Sequence, residues 1–188
     1  MGARQLMRDR RPAVGKPPTF KPVVYLSLGY ALPNLDKREL PGLSGYYRGN
    51  VSQMGPVNAA VDYRFTRRMS IGVLVTYGTA KAPYLNSGNV VQLNSKLSSW
   101  GIMLNFMRYL PVPNEKVLPY IRTAIGINSW KQQYIDVAGN PVNVTYSPEE
   151  FAYQAGFGAR FQLSKNTGCF IEAGYGKYIL SGGVALKL

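Results

Sequence analysis

Six charged residues alternate with apolar neighbours along the chain, so their side chains would share one face of extended segments. They are Asp62, Arg64, Arg122, Arg160, Glu172 and Lys187. Ions removed from water must be paired or solvated, and this set contains both signs. We therefore expect an ion-pair network, in which a hairpin centred on Asn166 places Arg160 directly opposite Glu172. A network that only satisfies interior polar groups, without gating, is the alternative.

The residue types argue against enzymatic chemistry. The chain has no histidine, which is the commonest general base and metal ligand, and Cys169 is its single cysteine. Glu149 and Glu150 are adjacent, so an extended chain would point them to opposite sides. Gly156 and Gly158 are not followed by the helix that phosphate binding needs. We expect no enzyme, no cofactor and no metal site.

The net charge of +13 raises nucleic acid as a partner, because clustered Lys and Arg neutralise phosphates. Residues 1–22 contain six basic residues and one acidic residue, Asp9. The remaining positive charges are scattered among predicted turns and strand ends. No strand carries a basic stripe, so we expect no nucleic-acid binding. Residues 1–22 contain four prolines and no apolar signal segment; we expect a flexible, basic periplasmic arm and no signal peptide in this sequence.

From Val23 onward, large apolar residues alternate with small or polar ones, which is the period of a β-strand whose two faces meet different environments. The segments are 23–31, 57–65, 69–78, 97–107, 118–128, 151–163, 169–176 and 180–188. About ten residues per strand, tilted by about 40°, span roughly the 25 Å apolar band of a membrane barrel. No run of about 18 apolar residues exists, so a transmembrane helix is not expected.

The connections alternate between short and long, as in outer-membrane barrels. The short ones cover 66–68, 110–116 and 164–168, and the long ones cover 32–50, 81–95 and 131–149. An even number of strands would place both termini at the short-turn end. The sequence therefore predicts an all-β fold, an eight-stranded antiparallel up-and-down transmembrane β-barrel over residues 23–188.

Two orientations of the faces are possible. In a soluble, lipocalin-like carrier, the apolar rows would line a ligand cavity and the other rows would meet water. Those other rows carry many glycines, such as Gly72, Gly101 and Gly126, and charged residues make up only 16% of the chain. Small residues suit the crowded interior of a narrow barrel, so we expect the apolar rows to face lipid.

Aromatic residues on the apolar rows fall near both ends of the predicted strands, as two interfacial girdles require. The short-turn end has Tyr63, Phe65 and Phe161, and the long-connection end has Tyr77, Trp100, Phe151, Tyr153 and Tyr175.

The architecture of residues 23–188 resembles the small outer-membrane barrels of the OmpA and OmpX type and, more loosely, the outer-membrane barrels common in Bacteroidota. The final strand, with Gly183, Leu186 and Leu188, is similar to the C-terminal signal read by the barrel-assembly machinery, although that signal usually ends in an aromatic residue. The resemblance implies the outer membrane of a Gram-negative bacterium, with outer-membrane lipid and the barrel-assembly machinery as partners.

The function we expect is that of a structural or interaction protein, for example an accessory subunit of a larger envelope complex. A protein partner would bind the long connections 32–50, 81–95 and 131–149, which supply five tyrosines as contact area. These are Tyr46, Tyr47, Tyr84, Tyr134 and Tyr146. A narrow pore or transport-associated channel is the first alternative, and a soluble carrier of an apolar ligand is the second.

Overall fold

The computed structural model describes residues 20–113, 116–144 and 146–188. Most of the predicted arm at 1–22 therefore lies outside the described residues. Within them the chain forms nine strands and one short 3-10 helix, and no helix there is long and apolar enough to cross a membrane. The strands are β1 (Val23–Leu32), β2 (Tyr47–Arg48), β3 (Ser52–Arg64), β4 (Met69–Leu85), β5 (Val91–Tyr109), β6 (Val117–Asp136), β7 (Phe151–Gln162), β8 (Thr167–Gly176) and β9 (Leu180–Lys187).

Eight of the strands in the described part of the chain close into an antiparallel barrel. Each barrel strand pairs with the next one along the chain, and β9 pairs back with β1 through partners such as Leu28 and Val184. β2 stays outside this wall, because Tyr47 and Arg48 pair with the far end of β4. The predicted eight-stranded, up-and-down β-barrel is confirmed.

The two faces of the barrel wall differ in the predicted way. Large apolar side chains point outward, and Phe157 and Ile125 keep 68% and 50% of their surface exposed. The inward rows hold buried residues such as Leu74, Arg122 and Gln154. The apolar rows therefore do not line an internal cavity, as the soluble-carrier alternative required. An exposed apolar band of this kind is typical of a wall that faces lipid.

Glycine in the inward rows permits close approach between strand backbones. A Cβ atom built on Gly126 would lie 2.0 Å from the carbonyl oxygen of Ile102, and one built on Gly183 would lie 2.1 Å from that of Leu28. Neither distance leaves room for a side chain. The sharply curved wall of a narrow barrel therefore depends on glycine at these positions.

β4, β5 and β6 continue beyond the other strands at the long-connection end. We call residues 79–85, 91–99 and 129–136 the tall sheet. The prediction of a connection over 81–95 is wrong for most of its length, since only residues 86–90 separate β4 from β5. The connection predicted over 131–149 likewise begins as strand and leaves the sheet after Asp136.

The sequence analysis missed the tall sheet because most of its outward residues are polar. Lys81, Lys96 and Gln133 stand where the lower parts of the same strands carry apolar side chains, as expected where a wall passes from lipid into water. The inward rows remain buried and pack against Leu40 and Leu43 of the first long connection. Those inward residues are Ala80, Ala82, Tyr84, Leu93, Leu97 and Tyr134.

Candidate functional site in the barrel lumen

Four of the six predicted lumen residues meet inside the barrel, and we call them the charged layer. Arg122 Nη1 lies 2.8 Å from Glu172 Oε2, and Arg160 Nη2 lies 2.5 Å from Asp62 Oδ2. Arg122 Nη2 also lies 4.0 Å from Asp62 Oδ2, which links the two pairs. All four residues are at most 4% exposed. Two arginines therefore neutralise two carboxylates away from water.

The pairing inside the charged layer differs from the predicted one. Across the β7–β8 hairpin, Glu172 lies opposite Gly158, and Arg160 lies opposite Phe170. The turn is centred on Lys165 instead of Asn166, because the Ser164 hydroxyl accepts hydrogen bonds from the backbone N–H groups of Asn166 and Thr167. The predicted direct opposition of Arg160 and Glu172 is therefore wrong. Glu172 binds Arg122, and Arg160 reaches Asp62 on β3.

Neutral side chains supply further hydrogen bonds to the ions of the charged layer. Tyr120 and Tyr178 donate their hydroxyls to the two oxygens of Glu172 at 3.0 and 2.9 Å. Asn105 Nδ2 donates to Asp62 Oδ1 at 2.5 Å, and the Tyr109 hydroxyl accepts from Arg160 at 2.8 Å. Each carboxylate oxygen thus has a donor, which a buried ion requires. Sequence reasoning missed these four residues, although Tyr120 and Asn105 lie on the predicted inward rows.

The other two predicted lumen residues lie outside the charged layer. Arg64 is two residues nearer the short-turn end than Asp62, and its guanidinium lies 4.2 Å from the centre of the Tyr109 ring. Lys187 is half-buried and pairs with Tyr25 on β1. Both line a cavity of about 570 Å³ at the short-turn mouth. They belong to the rim of the lumen and not to its ion-pair network.

An apolar layer lies directly above the charged layer on the side of the long connections. Its members are Ala60, Leu74, Met103, Ala124 and Ala152. On β3 and β6, Ala60 and Ala124 each stand two residues beyond Asp62 and Arg122, which is one step of an inward row. Leu74 and Met103 are 0% and 1% exposed, so the barrel is filled at this level.

A second buried ion pair closes the long-connection mouth, and we call it the mouth clamp. Lys177 Nζ lies 2.7 Å from both carboxylate oxygens of Asp36 and 2.7 Å from Asn128 Oδ1. The Ser99 hydroxyl also donates to Asp36, which is 7% exposed. Burial lowers the pKa of Lys177, and the adjacent Asp36 carboxylate opposes that shift. The clamp therefore joins the first long connection to the β8–β9 connection.

A short helix positions Asp36 of the mouth clamp inside the lumen. The 3-10 helix Leu35–Glu39 begins after Asn34, whose side chain accepts a hydrogen bond from the Asp36 N–H at 3.1 Å. The Leu35 N–H donates to the Lys177 carbonyl oxygen at 3.0 Å. Neither Asp36 nor Lys177 lies in a strand, so no periodicity marked them in the sequence.

Replacing Asp36 with asparagine should loosen the first long connection. Asparagine keeps the shape but removes the charge that balances the buried Lys177 ammonium group. We expect amide hydrogens of residues 34–40 to exchange about ten-fold faster or more, measured by mass spectrometry. Asp136→Asn is the matched control, because Asp136 holds only its own turn through the Asn140 N–H. Unchanged exchange in the Asp36 variant would contradict a clamping role.

The long connections also contact each other above the mouth. Glu39 accepts hydrogen bonds from the Tyr146 hydroxyl at 3.4 Å and from the Glu149 N–H at 3.2 Å. Tyr46 and Tyr47 are exposed, whereas Tyr84 and Tyr134 are buried in the tall sheet. The prediction that all five loop tyrosines offer contact area is therefore wrong for these two buried rings.

The aromatic residues predicted as girdles lie on the outer face, where Phe161 is half-buried and Trp100 is 53% exposed. At the long-connection end, the ring centres of Tyr77 and Trp100 are 4.5 Å apart. Further rings follow around the wall: Phe151 packs near Tyr153, and Tyr153 near Tyr175. The remaining two, Tyr63 and Phe65, are exposed near the short turns.

The last strand closes the barrel. Gly183 pairs with Gly29 on β1, Leu186 points outward, and the Leu188 N–H donates to the Val24 carbonyl oxygen at 2.9 Å.

Within the ranges that the structure describes, no three cysteine or carboxylate side chains come close enough to hold a metal ion.

The sequence matches the model of the outer membrane protein β-barrel domain over residues 19–184. Among solved structures, it is similar to a chain from the de novo design of transmembrane β-barrels, with 16% identity, a TM-score of 0.42, and coverage of 90% of this chain and 99% of that one. It is also similar to Ail, the attachment invasion locus protein of Yersinia pestis, in complex with the heparin analogue sucrose octasulfate. There the identity is 13%, the TM-score is 0.45, and the match covers 89% of this chain and 97% of that one. No curated protein sequence matches.

Proposed function

Because the chain belongs to the outer membrane protein β-barrel family, we propose that it is a closed, non-conducting barrel that anchors an interaction surface at the surface of a Gram-negative bacterium. Barrels of this kind keep their short turns in the periplasm. The long connections and the tall sheet would then face the outside of the cell. This is a structural or interaction role, not an enzymatic one, and it suits an accessory subunit of a larger envelope complex.

The filling of the lumen is the observation that carries the proposal. Three successive levels, namely the charged layer, the apolar layer and the mouth clamp, occupy the interior of the barrel. Arg122, Leu74 and Asp36 represent these levels and are 2%, 0% and 7% exposed. Interiors of eight-stranded barrels are just wide enough for side chains to fill, which agrees with a plug made by the wall itself.

The interaction surface is supported by exposed apolar side chains beyond the membrane level. Tyr47, Val90 and Val137 are 66%, 57% and 66% exposed, and all three lie at or beside the tips of the tall sheet. Apolar side chains that meet only water do not stabilise the tips of the sheet, whereas a protein partner would bury their apolar surface. The proposed partner site is therefore at the tips of the sheet and not in the lumen.

Planar-bilayer recording tests the closed lumen. We expect the purified wild-type barrel to insert without resolved single-channel current. Faster migration of the unheated protein on SDS gels verifies that the barrel is folded, and co-flotation with vesicles of the same lipid verifies insertion. Regular conductance steps from the wild type would overturn the proposal in favour of a narrow pore.

Cross-linking in living cells tests the interaction surface. A photoreactive residue placed at Tyr47 should yield one discrete protein adduct. The same residue placed at Lys165, in a short turn at the opposite end, should not yield that adduct. The same adduct from both positions, or none from Tyr47, would contradict a partner at the tips.

A further inference from the structure

Three lysines cluster on the outer face of the tall sheet. Lys81 on β4 lies directly opposite Lys96 on β5. Lys131 on β6 lies opposite Ser98, two residues from Lys96, and is thus the diagonal neighbour of Lys96 on the same face. All three side chains are exposed. At such spacing, directly opposed side chains are about 5 Å apart at Cβ and diagonal ones about 7 Å.

The outward residues that surround the three lysines in the described sheet carry no negative charge. Like charges directly opposite each other destabilise a sheet, and the surrounding outward residues are neutral. They are Ser52, Thr79, Ser98, Ser129 and Gln133. Among the described residues, the ion pairs involve other side chains. An anion held between the lysines would convert their repulsion into attraction.

The lysines stand directly above the aromatic girdle. Three outward cross-strand pairs follow one another on β4 and β5: Tyr77 with Trp100, Thr79 with Ser98, and Lys81 with Lys96. Four residues of a strand tilted by about 40° rise about 10 Å. Aromatic girdles mark the headgroup level of a membrane, so the lysine ammonium groups lie at the outer edge of the headgroups. Lysine stems also reach back toward the membrane.

We propose that Lys81, Lys96 and Lys131 bind the phosphate groups of a glycolipid headgroup in the outer leaflet. Lysine acts as a flexible point charge and suits phosphates whose exact position varies. Tyr77 and Trp100, directly below, offer an apolar surface to the adjoining sugar and acyl carbons. The proposal rests on the proposed membrane orientation, and it is independent of whether the lumen conducts.

Binding of diphosphoryl lipid A in neutral detergent tests the site. Native mass spectrometry of the full chain should show at least about ten-fold weaker binding for the triple variant Lys81→Gln, Lys96→Gln, Lys131→Gln. The variant Lys21→Gln, Lys116→Gln, Lys165→Gln loses the same charge near the short-turn end and should bind like the wild type. Lys96→Arg keeps the charge and should also bind.

The lipid and its phosphate are separated by two further probes. Dephosphorylated lipid A should bind the wild type at least about ten-fold more weakly, and free pyrophosphate should not displace diphosphoryl lipid A at equal concentration. Equal binding of the two lipids, displacement by pyrophosphate, or wild-type affinity in the triple variant would overturn the proposal. Faster migration of the unheated triple variant on SDS gels shows that it is folded. Wild-type conductance is a separate readout and tests only the closed lumen.

Discussion

Glu172→Ala is expected to lower the free energy of unfolding by about 3 to 5 kcal/mol, because breaking a buried ion pair leaves an uncompensated charge. Among the described carboxylates, Arg122 would then have only Asp62 as an ion-pair partner, and the nearest oxygen of Asp62 is 4.0 Å away. The hydroxyls of Tyr120 and Tyr178 would lose their acceptor at the same time. Equilibrium unfolding in urea, followed by the fluorescence of Trp100 and Trp130, measures the loss.

A matched variant and a double variant separate the ion pair from other effects. Glu150→Ala removes an exposed carboxylate and should change stability by less than about 0.5 kcal/mol. Adding Arg122→Ala to Glu172→Ala removes both charges, so the double variant should be more stable than the sum of the single losses predicts. A loss well under 1 kcal/mol for Glu172→Ala would show that water reaches the charged layer.

The sequence pattern predicts which residues form the charged layer but not how they pair. Period two assigns Asp62, Arg122, Arg160 and Glu172 to one side of the wall, and about equal distances from the short turns assign them to one level. Which carboxylate binds which arginine depends on the register of each hairpin. At the β7–β8 turn, the Ser164 hydroxyl sets the register through two hydrogen bonds from backbone N–H groups. The sequence pattern is equally compatible with a turn centred one residue later, on Asn166.

The eight barrel strands were predictable because lipid and lumen impose opposite demands on successive residues. That contrast ends where the wall leaves the membrane. In the tall sheet, Lys81 and Lys96 face water on one side while small residues such as Ala80 and Ala82 pack against a loop on the other. Polar and small residues in alternation resemble a connection, so strand pairing above the membrane was missed.

The mouth clamp was beyond sequence reasoning for a different reason. Asp36 and Lys177 are 141 positions apart, and both lie in connections that have no period. Their contact depends on the closure of the barrel, which brings β1 beside β9 and the first long connection over the mouth. Of the residues in the clamp, the sequence pattern indicated only Asn128 and Ser99, because they are polar members of inward rows on β6 and β5.

Leu104→Arg is expected to lower the free energy of unfolding in a lipid bilayer by about 2 to 4 kcal/mol, the range for a cation on the lipid face near the midplane. Leu104 is 44% exposed on the outer face of β5. Its cross-strand partners are Val73 on β4 and Ile125 on β6, both apolar and exposed. Urea unfolding in vesicles of neutral phospholipid measures the change.

Asn94→Arg provides the control at a different depth. Asn94 lies on the same strand and face as Leu104, ten residues farther toward the long connections and beyond Trp100, and its cross-strand partners Pro83 and Ile135 are uncharged. There the side chain meets headgroups or water, so the change should cost at most about 1 kcal/mol. The difference between the two variants, more than either value alone, tests whether this wall faces lipid. Equal and small losses at both positions would mean that the apolar band meets a protein partner or water, and the membrane orientation would then be wrong.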